Sequence, residues 1–133
     1  MLKENSIGQI KINKTLFART IYNAICLTND EIYMANENAK IIGTKNKKGS
    51  TNNLASKIVV LENEDTIDIT FYVVFKFGTS IKSNAEIILN DIIDKLSNGF
   101  KGKNISLTML VVGVKSKEIA KRDLVFNKSY EVK

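Results

Sequence analysis

Residues 66–77 carry the pattern that most restricts how this chain can fold. Apolar side chains recur there at every second position, at Ile67, Ile69, Phe71, Val73, Phe75 and Phe77. Successive side chains of a β-strand point to opposite faces of the sheet, so this alternation predicts one long strand with an apolar face. Such a clean alternation is typical of antiparallel or mixed sheets, because strands buried in parallel sheets are apolar on both faces.

Other patterns predict two helices and three further strands. Phe17, Ile21, Ala24 and Ile25 have helical spacing and predict a helix over residues 14–28, preceded by a strand over 6–12. A capping box from Ser83 to Glu86 predicts a second helix that ends near Gly99. Strands are expected over residues 57–61 and 105–114. The order strand, helix, strand, strand, helix, strand predicts a two-layer α+β fold. Its mixed sheet has about four strands, with two helices on one face.

Three segments have sequence patterns that do not define a long helix or strand. Glu31 to Met34 fit either a short strand or a helical turn, and residues 115–133 fit a polar tail with a weak helical or extended segment. Residues 40–57 are rich in Lys, Asn, Ser and Gly, which is typical of a surface loop. We therefore expect one domain over residues 1–114, with this Lys-rich loop inserted in it, and a basic tail over 115–133.

The net charge of +6 is unevenly distributed along the chain. The Lys-rich loop has five lysines and no acidic residue, and residues 115–133 have six basic and three acidic residues. Residues 58–114 have five basic and seven acidic residues. Basic surfaces attract nucleic acid and anionic membranes, so Lys45, Lys47 and Lys48 are candidate contact residues. A solvated loop explains the same lysines equally simply.

The composition argues against an enzyme. The chain has no His and a single Cys, which excludes a Ser-His-Asp or Cys-His nucleophile system, a Cys₄ zinc site and an internal disulfide. We expect no cofactor, no metal and no small-molecule substrate. No apolar run approaches the roughly 20 residues of a membrane-spanning helix.

Two features remain as candidate binding sites. Tyr72 and Val74 lie on the second face of the long strand, and Leu110 and Val112 have the same parity on the last predicted strand. Together they would form an apolar patch for a partner protein, whereas apart they are scattered surface residues. Residues 99–102 match the GXXG loop that binds nucleic acid in KH domains, although a helix C-cap followed by a turn explains them as well.

Several short motifs occur in a characteristic order. Gly8-Gln9-Ile10-Lys11-Ile12 precedes a helix of small and aliphatic residues, Phe77-Gly78-Thr79-Ser80-Ile81 precedes the second helix, and Val111-Val112-Gly113-Val114 ends the last predicted strand. This series resembles the alkaline shock protein family of Gram-positive and related bacteria over roughly residues 7–114. In that resemblance Gly8, Gly78 and Gly113 are structural residues, because glycine permits turns, bulges and close approach.

The resemblance implies a non-enzymatic scaffold linked to cell-envelope stress. Such a protein would be cytoplasmic, would bind a protein partner or itself, and would touch the inner face of the membrane peripherally. The alternative is a small RNA-binding module that uses the Lys-rich loop and the tail, with binding that weakens steeply as salt rises.

Overall fold

The computed structural model describes residues 2–28, 31–43 and 51–132. Within these ranges the chain forms three helices and six strands, in the order α1 (Leu2–Cys26), β1 (Ile32–Ala35), β2 (Ile41–Gly43), α2 (Thr51–Ser56), β3 (Val59–Glu62), β4 (Thr66–Lys76), α3 (Ile81–Gly99), β5 (Asn104–Lys115) and β6 (Ile119–Tyr130). The expected α+β class with a mixed sheet is confirmed. The expected number of strands and helices and their order are wrong.

The long strand predicted from the alternation is β4, and it lies inside the sheet. The described strands follow the order β2-β1-β4-β5-β6, and β3 also pairs with β4. β5 runs parallel to β4 along its whole length, and α3 makes the crossover that a parallel pair requires. β3 and β1 pair antiparallel with the first and second halves of β4, so they share its other edge.

The predicted first strand over residues 6–12 is wrong, because α1 runs without interruption from Leu2 to Cys26. Gly8 and the expected N-cap Asn13 therefore lie inside a helix. The alternation of Ile10 and Ile12 is too short to outweigh helical propagation. No proline interrupts the segment, and Ile10 also precedes Phe17 by seven residues, which is helical spacing.

The segments with weak patterns contain short elements. Residues 32–35 form β1, which is the strand alternative for Glu31 to Met34. The ends of the Lys-rich loop form β2 and α2, so the expectation of a loop throughout is wrong. Leu54 of α2 and the nearby Ile58 are buried in the core, which explains why this end of the segment is folded. Residues 44–50 lie outside the described part of the chain.

The segment expected as a tail supplies a full strand. β6 pairs antiparallel with β5 from Ile105 opposite Tyr130 to Lys115 opposite Ile119. The extended alternative is therefore the observed one, and residues 119–130 are part of the sheet. Past the strand, the backbone N–H of Val132 donates to Asn104 Oδ1 at 2.8 Å.

One face of the sheet carries the larger hydrophobic core of the described residues, as predicted. The buried stripes of α1 and α3 pack on alternate residues of β4 and β5, including Ile67, Phe71, Phe75, Leu107 and Met109. Where α3 ends, the rings of Phe17 and Phe100 pack with their centroids 5.3 Å apart. We call the other face, which carries no packed helix among the described elements, the open face.

Phe77 departs from the predicted core face. Its side chain is 72% exposed, because β4 ends one residue earlier at Lys76. Gly78 follows with a φ of +88°, a left-handed conformation that side-chain-bearing residues rarely adopt. The expected turn at Gly78 is thus present, and it points Phe77 away from the core.

Candidate interaction surface on the open sheet face

A row of apolar residues crosses four strands of the open face. Ala35 lies directly opposite Tyr72, Tyr72 opposite Leu110, and Leu110 opposite Val125. Directly opposed residues share a face and have their Cβ atoms about 5 Å apart, so these side chains are neighbours. The structure therefore brings Tyr72 and Leu110 together and adds Val125, which the sequence patterns did not single out.

Val112 joins this row through an irregularity in β5. Val73 lies opposite Val111, but the next residue of β4, Val74, lies opposite Gly113. Val112 is thus an extra residue, a β-bulge, and like Tyr72 it packs against buried residues of the open face. The register with β6 shifts at the same place. Because of the bulge, Val114 lies on the core side of the sheet, where it is buried opposite Phe75.

Val74 does not belong to an accessible surface, contrary to the expected partner patch. It is completely buried in a small second cluster with Tyr33, Ala35 and Ala39. Tyr33 lies directly opposite Val74 on β1, and this neighbour was not assigned from the sequence. Ile119 packs against the same cluster.

Four residues remain accessible on this face around the row. Tyr72, Leu110 and Val112 are half-buried, and Val125 is 52% exposed. We call these four the open-face patch. Polar residues adjoin it on β5 and β6, where Thr108 and Asn127 contact each other through Oγ1 and Oδ1 at 3.1 Å. The patch thus has an apolar centre and a polar border on one side, the arrangement that protein interfaces commonly have.

Basic residues adjoin the patch on its other side. Lys76 and Lys115 lie directly opposite each other on β4 and β5, and Lys121 lies opposite Gly113. Glu31 offsets part of this charge, since its Oε2 lies 4.0 Å from the Nζ of Lys76. The Nζ of Lys115 lies 5.3 Å from the centre of the Tyr33 ring, a cation–π arrangement. Asp123, which lies between Lys121 and Val125 on the same face of β6, offsets a further charge, so the border keeps a small net positive charge.

Tyr33 links the buried cluster to this charged border. Its hydroxyl donates to Glu31 Oε2 at 2.6 Å. Burial raises the pKa of Tyr33 to about 12, and the hydrogen bond and negative charge of Glu31 add to the rise. The phenol therefore remains neutral well beyond physiological pH and acts as a hydrogen-bond donor that holds Glu31.

Gly113 has the packing role expected of a structural glycine. A Cβ built on it would lie 2.6 Å from Ile119 Cγ2 and 3.4 Å from Val74 Cγ2. Real Cβ atoms essentially never approach another carbon as closely as 2.6 Å. Glycine here permits β6 to lie close over the bulge of β5.

The remaining residues predicted to contact nucleic acid belong to the Lys-rich loop and to the GXXG segment, residues 99–102. Lys45, Lys47 and Lys48 lie outside the described residues. In the GXXG segment, Phe100 packs on the core against Phe17 and its backbone N–H donates to Leu96 at 2.8 Å. This geometry is that of a helix end followed by a turn, the simpler of the two interpretations.

In residues 2–28, 31–43 and 51–132, no group of three or more His, Cys, Asp or Glu side chains is placed to hold a metal ion. No helix in the same ranges is long and apolar enough to cross a membrane. Comparison with protein-family models, curated proteins and solved structures returned no match.

Proposed function

We propose that this chain is a non-enzymatic interaction module that docks a partner protein on the open-face patch. The carrying observation is the register that aligns Tyr72, Leu110 and Val125 across three adjacent strands on the face away from the helices. An antiparallel or mixed sheet can leave one face to water, and that face is then normally polar. Apolar residues concentrated at its centre are typical of a binding surface.

The charge beside the patch specifies the chemistry of the partner. Lys76, Lys115 and Lys121 border it, with Glu31 and Asp123 as acidic neighbours. A partner that presents an apolar surface with acidic residues at its rim complements this arrangement. Complementary rim charges mainly raise the association rate and suppress wrong partners, so binding should weaken as salt rises.

The resemblance to alkaline shock proteins supplies the proposed setting, a cytoplasmic scaffold that acts in cell-envelope stress. Of the motifs that carry it, the turn at Gly78 and the close packing at Gly113 fit structural glycines, whereas the segment from Gly8 to Ile12 is helical. Peripheral membrane contact through Lys45, Lys47 and Lys48 belongs to the same hypothesis.

A pair of matched variants tests the docking surface. Leu110→Thr with Val112→Thr places β-branched residues, which favour strands, at both positions but removes apolar surface from the patch. Val59→Thr with Leu61→Thr makes a similar change on β3, where both residues are exposed on the open face outside the patch. Each protein would be cross-linked in native extract, the attached partner identified and purified, and its affinity measured by calorimetry.

We expect the patch variant to bind at least about tenfold more weakly and the β3 variant to bind as the wild type does. Equal affinity for all three proteins contradicts the proposal. A wild-type protein that is recovered with RNA rather than protein, and that shifts RNA at about 50 mM salt, favours the alternative function instead.

A further inference from the structure

β6 ends the described part of the sheet, and its outer side pairs with no strand in residues 2–28, 31–43 or 51–132. It extends from Ile119 to Tyr130. An edge strand presents a row of unpaired N–H and C=O groups, which is a template for pairing with another strand. A long edge of this kind is usually shielded by proline, by charge or by a covering element.

The centre of β6 has few of these protections. The chain has no proline, and Leu124, Val125 and Phe126 form an uninterrupted apolar stretch. Leu124 is 40% and Val125 52% exposed, although Phe126 packs partly on the core. The charged residues lie on either side of the stretch, at Lys121, Arg122, Asp123, Lys128 and Glu131. The edge therefore combines an apolar centre with charged ends.

Two copies of β6 can pair antiparallel only in registers that keep the faces of the sheet aligned. If a twofold axis perpendicular to the sheet passes between two copies of one central residue, that residue lies opposite itself. Every other residue then lies opposite the partner's residue that is equally far from the centre on the other side. The charges discriminate between the four centres from Leu124 to Asn127. Like charges directly opposite each other destabilise a sheet, and opposite charges stabilise it.

Three of these registers are poorly matched. A centre at Val125 places Arg122 opposite Lys128 of the partner subunit, and a centre at Asn127 places Asp123 opposite Glu131 of the partner subunit. A centre at Leu124 places Glu131 opposite only the partner subunit's Lys117, which lies before β6 begins, and places Asp123 against the partner subunit's Val125. A centre at Phe126 places Lys121 opposite Glu131 of the partner subunit, twice by symmetry, and places no like charges directly opposite each other.

We propose that a second copy of this chain pairs with β6 in the register centred on Phe126. On the helix side, Phe126 meets Phe126 of the partner subunit, and Arg122 meets the aromatic ring of the partner subunit's Tyr130. Such aromatic and cation–aromatic pairs are favourable across strands. On the open face, Lys121 pairs with the partner subunit's Glu131. The bond from the backbone N–H of Val132 to Asn104 holds the chain beside the sheet just past Glu131.

This interface uses the edge of the sheet, whereas the proposed partner protein docks on its face. Lys121 takes part in both surfaces, whereas Glu131 takes part only in the dimer, so Glu131→Lys tests the dimer without changing a residue of the patch or its border. Pairing would extend the open face of one copy into that of the next. The dimer would thus present two open-face patches side by side on a continuous sheet.

A charge exchange tests both the dimer and its register. Lys121→Glu and Glu131→Lys each place like charges opposite each other, whereas the double variant restores opposite charges in the reverse direction. Sedimentation equilibrium should show a concentration-dependent dimer for the wild type, about tenfold weaker dimers for each single variant and recovery in the double variant. Lys117→Glu makes the same charge change before β6 begins and should leave the dimer unaffected.

Disulfide trapping gives a second readout that does not depend on affinity. In a Cys26→Ala background, Lys121→Cys combined with Glu131→Cys should form covalent dimers on mild oxidation. Residues 121 and 131 of one chain are about 33 Å apart along the strand, so they cannot link to each other within a chain. Val125→Cys, which would link to itself only if Val125 were the centre, should form no covalent dimer under the same conditions.

The proposal is overturned by a wild-type protein that stays monomeric up to about 1 mM. It is equally overturned by a dimer that ignores the single charge variants, by failure of the double variant to recover, or by trapping at Val125→Cys instead.

Discussion

Ile119 and Gly113 are in closer contact than any side chain at position 113 would allow. The Cγ2 atom of Ile119 lies 2.6 Å from the place that a Cβ on Gly113 would occupy. The contact lies beside the β-bulge at Val112, where the registers of β5 with both β4 and β6 shift. This single packing contact therefore joins the bulge to the first residue of the edge strand.

Gly113→Ala should lower the free energy of unfolding by about 1–3 kcal/mol, because the added methyl group overpacks this contact. Ile119→Ala removes the opposing Cγ2, so the cost of Gly113→Ala should largely disappear in the double variant. Urea unfolding of the four proteins in this cycle measures the coupling. Gly99→Ala is the control, since no atom lies within 4 Å of its Cβ position. Additive effects at residues 113 and 119 would contradict the packing argument.

The two phenylalanines near the end of β4 should respond very differently to truncation. Phe75 is fully buried, so Phe75→Ala should cost about 3–5 kcal/mol of unfolding free energy. Phe77 is 72% exposed, so Phe77→Ala should change the free energy of unfolding by less than about 0.5 kcal/mol. Urea denaturation compares the two directly. Similar losses would mean that the alternating core face continues through residue 77.

The ion pair between Lys103 and Glu62 should contribute to stability, because both groups are largely shielded from water. Lys103 Nζ lies 3.0 Å from Glu62 Oε2 and 3.2 Å from the carbonyl oxygen of Asn63. Lys103→Met keeps most of the aliphatic side chain but removes both interactions, and should cost about 1 kcal/mol. Lys101→Met, at an exposed position two residues earlier, should be nearly neutral by the same urea assay. Equal stability of the two variants would show that the pair contributes nothing.

Alkaline pH should destabilise the protein through Tyr33. Its pKa is about 12 in the folded protein against an ordinary value of 10.0, so the neutral phenol stabilises the fold. That contribution is complete below about pH 10 and is lost as pH rises toward 12. Tyr33→Phe should reduce this part of the decline, as measured by thermal unfolding between pH 9 and 12. It should also remove a late phase from the absorbance titration of tyrosine. An unchanged late phase would assign the high pKa to another residue.

The long periodic elements could be predicted because their patterns repeat often enough to show whether the element is a helix or a strand and which of its faces is buried. β4, α3, β5 and the second half of α1 all lie where the sequence indicated. Even there the helix start is different. α3 begins at Ile81 and not after a capping box that starts at Ser83. Near the start of the helix, Asn84 Nδ2 donates to the carbonyl oxygen of Ser80 at 2.8 Å.

The short and edge elements could not be predicted for physical reasons. β1, β2 and α2 are shorter than the repeats that reveal a period. β6 is largely exposed on both faces, so residues such as Arg122 and Lys128 interrupt its apolar alternation. The patch was only partly predicted for a related reason. The burial of Val74 depends on Tyr33 from β1, whose pairing register no local pattern encodes.

The arrangement of β1 and β3 along one edge of β4 has a consequence for how the sheet opens. β3 covers residues 67–70 and β1 covers residues 72–75, so two separate strands protect that edge. Either strand can leave without pulling the other away, whereas β5 must separate along the whole of β4 at once. Native-state hydrogen exchange should therefore divide the amides that β4 directs toward this edge into two groups with different opening free energies. The amides directed toward β5 should exchange together, through a more global opening.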